Sequence, residues 1–187
     1  LGSIAGYIPG AGDKIPDALE QMGYKVVTLK ESDITAENLK QLDVIITGVR
    51  AYNTNEWMNN VYDALMQYVK EGGVLVSQYN TSNQIGPVRA KIAPYPFTIS
   101  RNRITDEEAK VNFLLPQHKV LNYPNKITDK DFEGWIQERS NYHAENTDTA
   151  YKKILSMKDP GENEQRGSLI IADYGAGRFV YTGLVFF

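Results

Sequence analysis

The first eighty residues alternate strand-sized apolar runs with helix-sized amphipathic ones. This alternation restricts the chain to an α/β fold with a largely parallel sheet and right-handed crossovers. The strand runs are "SIAGYI", "KVVTLK", "DVIITGV" and "GVLVSQY". The third is apolar throughout, as expected of a strand covered on both faces. Between them, "PGAGDKIPDALEQMG" reads as a glycine-bearing loop and then a helix, with Pro16 in its first turn and Gly23 at its end. "ESDITAENLKQL" offers Thr35 as the N-cap of a short helix. "TNEWMNNVYDALMQYVKEGG" carries Trp57, Val61, Leu65 and Tyr68 or Val69 at three- and four-residue steps. That spacing predicts an amphipathic helix started by Thr54 or Asn55 and ended by Gly72.

The middle of the chain is less regular. "TSNQIGPVRAKIAPYPF" is rich in proline and small residues and reads as loop. "AKVNFLLP" and "HKVLNYP" read as short strands or extended segments, and "DFEGWIQERSNYH" as a surface loop or an aromatic-lined rim. Near the end, "GSLIIADYG" and "GRFVYTGLVFF" form a β-hairpin joined by "GAG", expected to add antiparallel strands at a sheet edge. The whole is expected to be one flavodoxin-like, three-layer α/β domain over residues 1–187. A chain that opens almost directly on a strand and stops at "YTGLVFF" reads as a piece of a longer polypeptide.

Composition narrows the function classes. Of 187 residues, 42% are hydrophobic and 23% charged, the mix of a chain that buries a core without covalent staples. The formal charge of −3 supplies no surplus of cations for a phosphate backbone, so nucleic acid is not an expected partner. No apolar run approaches the roughly 18 residues of a membrane span, so no membrane insertion is expected. Cysteine is absent, which excludes disulfides, thiolate catalysis and zinc–thiolate sites together. The compartment stays open, an exported or periplasmic setting included. His118 and His143 are not at metal-ligand spacing, and neither a metal nor a cofactor is expected.

Four stretches can carry chemistry. Ligands of open parallel sheets lie at the carboxyl ends of the strands, where strand order switches. "SQYNTSN" puts Gln78, Tyr79 and Asn80 there, and "GVRAYNTNE" puts Arg50, Tyr52 and Asn53 on the same rim. Arg50 can grip a carboxylate or phosphate with both arms of its guanidinium, or pair with an acidic neighbour and hold its loop. Tyr52 can stack on a ligand or on a loop. Asparagines also make good turns, so "YNTSN" serves as the end of a strand equally well. "PGAGD" is only G-x-G, without the full dinucleotide fingerprint or a phosphate-loop lysine. Asp13, as N-cap, would compete with an anion for the amides of that turn. "DFEGWIQER" sets Asp131, Glu133 and Glu138 around Trp135, the kit of a sugar site or of a charged loop anchored by its Trp.

The element order resembles a class I glutamine amidotransferase-like domain. "GYIPGAGDKIPDALEQMGY", "IITGVRAYNTNE", "GGVLVSQYNT", "YPFTISRNRITDE", "VLNYPNKITDKDFEGWIQER" and "YTGLVFF" together are similar to the C-terminal domain of bacterial LmbE-like proteins of the N-acetylglucosaminyl-phosphatidylinositol de-N-acetylase family. The resemblance implies a partner: a zinc-dependent deacetylase domain of the same polypeptide, working on sugar conjugates. That domain's His-Pro-Asp-Asp-Glu motif does not occur in this chain. The resemblance also places Tyr79 at or within one residue of the amidotransferase cysteine. A tyrosine of pKa near 10 is a poor nucleophile at neutral pH, and the downstream His–x–Glu pair that completes the amidotransferase triad has no clear counterpart. The expectation is therefore a non-catalytic accessory or ligand-binding domain, with no catalytic residue and a candidate rim of Arg50, Tyr52, Asn53, Gln78, Tyr79 and Asn80. Two alternatives stand beside it. One is a hydrolase with a nonstandard nucleophile, Ser77 or Thr81 or a carboxylate of the 131–138 loop. The other is a structural module that packs against a partner domain.

Overall fold

The computed structural model describes residues 3–89 and 91–186. Leu1 and Phe187, the two ends on which the expectation of a longer polypeptide turned, lie outside the described residues. A seven-stranded sheet forms the centre. Its strands are β1 (Ile4–Ile8), β2 (Lys25–Thr28), β3 (Val44–Thr47), β4 (Val74–Gln78), β5 (Lys152–Lys153), β6 (Leu169–Tyr174) and β7 (Gly177–Thr182), in the order β5-β6-β7-β4-β3-β1-β2. From β2 to β7 every pairing is parallel, whereas β6 and β5 are antiparallel. This is a mixed α/β, flavodoxin-like arrangement with its switch point at β1, which has β2 on one side and β3 on the other. The C-terminal hairpin contributes more than the antiparallel edge expected of it. Its second strand inserts beside β4 as the fifth parallel strand, Thr182 level with Gln78.

The helices are few and short: α1 (Ile15–Gln21), α2 (Ala36–Leu39), α3 (Ala51–Thr54) and α4 (Tyr62–Lys70). Thr35 caps α2, its Oγ1 accepting from the Asn38 amide at 3.3 Å. The long helix expected from Thr54 or Asn55 starts later. A 3₁₀ turn covers Glu56–Asn60 before α4 begins at Tyr62. Both expected caps are engaged elsewhere, because α3 needs them. Thr54 Oγ1 donates to the Arg50 carbonyl at 3.2 Å, and Asn55 Nδ2 to the carbonyls of Ala51 and Pro9 at 3.0 and 2.7 Å. Among the described residues no helix is long and apolar enough to cross a membrane.

Alternation along the strands splits the core in two. Ile170, Ala172, Phe179 and Tyr181 point into a cluster with Leu65, Val69, Ile45 and Leu75. Ile171 and Val180 point the other way, onto Ile104, Val111, Leu121, Phe132 and Leu155. This second layer is built from loops and two-residue strand pairs rather than helix, which is why "AKVNFLLP" and "HKVLNYP" gave no clear period. Asn112–Phe113 pairs with Leu155–Ser156, and Lys119–Leu121 is a 3₁₀ turn capped by His118 Nδ1, which accepts from the Val120 amide. The strand "DVIITGV" is less enclosed than its composition suggests. Ile45 and Thr47 are fully buried, but Val44 and Ile46 on its other face are half-buried.

Candidate functional site

The switch-point crevice, the usual ligand position of this fold, is narrowed by the chain itself. The loops after β1 and β3 meet backbone to backbone. The Ala11 amide donates to the Val49 carbonyl at 2.7 Å and the Gly48 amide to the Ile8 carbonyl at 2.8 Å. A Cβ on Gly10 would lie 2.1 Å from the Val49 oxygen, and one on Gly48 2.5 Å from the Tyr7 hydroxyl, so both positions need glycine for this approach. Asp13, one residue before the N-cap Lys14, ties the two loops together. Its carboxylate accepts from the amides of Ile15 and Val49 and from Gln78 Nε2, each at 3.0 Å. Tyr7 bonds to it as well. Burial first, and then this carboxylate, push the Tyr7 phenol far above its ordinary range. The anion that a turn of this kind could hold is therefore an internal one.

Most of the rim residues hold the turn in place. Asn80 Oδ1 accepts from the Tyr52 amide at 3.1 Å, and its Nδ2 donates to the Gln78 carbonyl at 3.2 Å. Asn53 Nδ2 donates to the carbonyls of Ser82 and Gln84, both at 3.1 Å, while its Oδ1 accepts from the Thr81 amide at 2.9 Å. Gln78, Asn80 and Tyr52 are buried, the last with its phenol raised by burial. These three side chains lie beneath the rim rather than on it. Arg50 and Tyr79 do reach the surface. Arg50 sits in the left-handed region (φ 59°), its amide bonded to the Tyr79 carbonyl at 2.8 Å and its side chain exposed. Tyr79 is half-buried and lies 5.5 Å from the Tyr142 ring at 30°. Burial raises its phenol, with Glu138 and Tyr142 adding and Arg50 opposing.

Tyr142 is the rim residue that the sequence hid. It is 63 positions from its partner and belongs to a loop with no periodicity. A positive φ of 49° turns it outward, while its carbonyl accepts from Tyr181 Oη at 2.7 Å. A cavity opens on each side of the Tyr79–Tyr142 pair. One, about 520 Å³, runs from Gly12, Asp13 and Lys14 past Val49 to Tyr79 and Gln137, over the narrowed switch point. The other, about 540 Å³, lies between the turn after β4 and Tyr142.

No relay for nucleophilic catalysis is assembled at this edge. Ser77 Oγ is buried, donating to the Gln78 carbonyl and accepting from Thr47 Oγ1. Thr81 Oγ1 donates to Asn53. Among the described residues no histidine or carboxylate bonds to Ser77, Tyr79 or Thr81. A Ser–His contact exists elsewhere, Ser140 Oγ 2.6 Å from His143 Nε2, but both side chains are wholly buried and Nδ1 has no hydrogen-bond partner among the described residues. The 131–138 loop is held by its own polar groups. Asp131 accepts from the Thr128 amide, Glu138 from Asn141 Nδ2, and the Phe132 and Trp135 rings stack 5.7 Å apart under the Arg139 guanidinium. No group of three or more metal-ligating side chains occurs among the described residues.

Fold and site thus define a flavodoxin-like α/β domain whose switch-point loops are tied together by Asp13 and whose open rim extends from them to Tyr79. No family model matches the chain, and no curated protein matches it. Solved structures do. A cytoplasmic protein of Salmonella typhimurium superposes with a TM-score of 0.61 at 14% identity, over 95% of this chain and 86% of that one. A ThuA-like protein of Bacteroides uniformis gives 0.61 at 16%, over 97% and 81%. The β-galactosidase of Rahnella sp. R3 gives 0.60 at 14%, over 99% of this chain but 29% of that one. At such identities the likeness is one of fold. It overturns the resemblance to LmbE-associated, amidotransferase-like domains, since the neighbours are ThuA-like proteins and a portion of a β-galactosidase. The strings that suggested that lineage are strands and turns. Gln78, Asn80 and Asn53 within them serve local hydrogen bonds that any sheet of this kind can use, so they mark architecture rather than ancestry.

Proposed function

We propose that this is a non-catalytic carbohydrate-binding domain, accessory to sugar metabolism, with its site on the rim around Tyr79, Tyr142 and Arg50. The observation that carries the reading is the tilted Tyr79–Tyr142 pair, half-buried between two open cavities at the carboxyl edge of the sheet. Aromatic faces bordered by amides and hydroxyls suit the apolar faces and polar rims of pyranose rings. Two further points support it. The hydroxyls at this edge are bonded to structural partners and lack a base. The same fold also makes up a part of a longer β-galactosidase chain, an arrangement that fits an accessory role.

The test is direct binding by calorimetry against neutral mono- and disaccharides, alongside turnover assays with chromogenic glycosides and esters. Saturable sugar binding that Tyr79→Ala weakens about tenfold, the loss of roughly one aromatic contact, is expected without turnover. Turnover that Ser77→Ala or Thr81→Ala removes would establish a hydrolase instead.

A further inference from the structure

The cavity beyond Tyr142 has a charge opposite to that of the chain as a whole. Its lining is Thr81, Ser82, Arg101, Arg103, Asn141 and Tyr142, with two arginines and no carboxylate. The arginines are brought there by local geometry. From Ser100 to Ile104 the backbone runs against residues 140–143. The Ser100 amide donates to the His143 carbonyl, the His143 amide to the Asn102 carbonyl and the Ile104 amide to the Ser140 carbonyl, at 2.9, 3.3 and 2.9 Å. Asn102 bonds to Glu145 and Gln165, and Ile104 is buried in the second core. Arg101 and Arg103, two apart, both line the cavity and are exposed.

Neither arginine forms an ion pair within 4 Å among the described residues, whereas Arg166 and Arg178 pair with Glu164 and Asp173 at 2.7 and 2.9 Å. Two nearby carboxylates are taken by other donors. Asp159 accepts from the Thr105 amide and hydroxyl and from the Asp106 amide, at 2.7–2.9 Å. Glu138 accepts from Asn141 Nδ2 at 2.5 Å. The walls are fixed too: Thr81 Oγ1 is tied to Asn53, and Ser82 Oγ accepts from the Gln84 amide. Two guanidinium forks therefore face a cavity of about 540 Å³ without an ion pair within 4 Å among the described residues, Arg103 and Asp159 attracting each other only at longer range. That volume lies within the roughly 300–1,000 Å³ of small-molecule sites.

We infer that this cavity takes the acidic group of a sugar acid or sugar phosphate, the pyranose ring lying toward Tyr142 and Tyr79. The inference rests on the carbohydrate reading above and sharpens it. A carboxylate and a phosphate present the same chemistry to an arginine fork, two oxygens in a plane matched to paired N–H donors. The adjoining aromatic pair distinguishes such a ligand from a bare anion, which would have no use for it.

Calorimetry on the 187-residue chain at low ionic strength, with glucuronate, glucose 6-phosphate, glucose and inorganic phosphate as probes, tests this. At least one acidic sugar is expected to bind about tenfold or more tighter than glucose and than phosphate, as charge-assisted bonds are worth. Preference for glucuronate identifies a carboxylate ligand, and preference for glucose 6-phosphate a phosphate ester. Arg101→Gln with Arg103→Gln should abolish the preference while leaving the melting temperature unchanged, both side chains being exposed. Equal binding of glucose, equal binding of inorganic phosphate, a preference that survives the double substitution, or no binding of any probe would each overturn the inference. The two readings fail separately. Glucose binding that needs Tyr79 but gains nothing from an acid leaves the rim and removes the anion site. An arginine-dependent acid preference indifferent to Tyr79→Ala does the reverse.

Discussion

Lowering the pH from 8 to 5 should destabilise this domain chiefly through His143, with a smaller contribution of the same sign from His118, whose pKa burial and then Lys152 and Arg178 also lower. The His143 imidazole is fully buried, with Ser140 Oγ 2.6 Å from Nε2 and no hydrogen-bond partner at Nδ1 among the described residues. Burial pushes its pKa down to about 4, and the opposing pull of Asp159 is too weak to restore it. In the unfolded chain the same group titrates near 6.5. Between these two values the unfolded state holds a proton that the folded state does not. Stability is therefore whole above about pH 7, and falls as the pH drops through the unfolded value toward the folded one. Linkage between 6.5 and 4 gives a loss of about 2 kcal/mol by pH 5 and about 3 kcal/mol below pH 4, as an upper range. Asp159, held below the usual carboxylate range despite its burial because Thr105 and Asp106 donate to it, behaves differently. Its contribution is present above the unfolded value of about 3.9 and is lost only below it, outside this window.

Urea unfolding followed by tryptophan fluorescence at pH 5, 6, 7 and 8, on the wild type and on His143→Gln, isolates the term. The variant forfeits the Ser140 contact and is less stable at pH 8, but it has no proton to take up. The gap between the two proteins should therefore narrow by about 2 kcal/mol from pH 8 to pH 5. A gap constant with pH, or an imidazole that titrates near 6.5 by NMR in the folded protein, would refute the reasoning.

Two further outcomes follow from the contact between the switch-point loops. Gly10→Ala would drive a Cβ to 2.1 Å from the Val49 oxygen and 2.8 Å from the Ala51 nitrogen, backbone atoms that cannot turn aside. A loss of about 3 kcal/mol or more is expected in denaturant unfolding, and a loss under about 1 kcal/mol would mean that the two loops are not in contact. Asp13→Ala would leave the Val49 and Ile15 amides without an acceptor and Gln78 Nε2 with the Thr47 carbonyl alone, costing about 2–3 kcal/mol. Formate or phosphate should then raise the melting temperature of the variant and not of the wild type, because the vacated cradle accepts an external anion.

How much of this was legible in the sequence depends on how local each cause is. The four N-terminal strands, the Thr35 cap and the glycine stops are decided within a few residues, and the structure keeps them. The start of α4 was misplaced because Thr54 and Asn55, both good caps, are claimed by α3 and by the Pro9 carbonyl 46 positions away. The hairpin was recognisable as a hairpin, but its parallel pairing with β4 is a tertiary choice that turn chemistry does not encode.

For the site the split is sharper. Asp13 was visible as a competitor for an anion, since a carboxylate ahead of a helix meets free amides whatever the fold. Its bonds to Val49 and Gln78 were not, because they exist only once β1, β3 and β4 lie side by side. Tyr142, Arg101 and Arg103 come from the irregular layer, where two-residue pairings leave no period to read. The polar residues around Tyr79 were conspicuous at the strand end because the turn needs them. Gln78, Asn80 and Asn53 latch three loops together, and in doing so hold Tyr79 at the surface beside Tyr142. The side chains free to meet a ligand are the ones these latches leave over. In this domain the conspicuous polar cluster is therefore the support of the rim, and the binding proposed for it rests on a tyrosine pair and on exposed arginines that form no ion pair among the described residues.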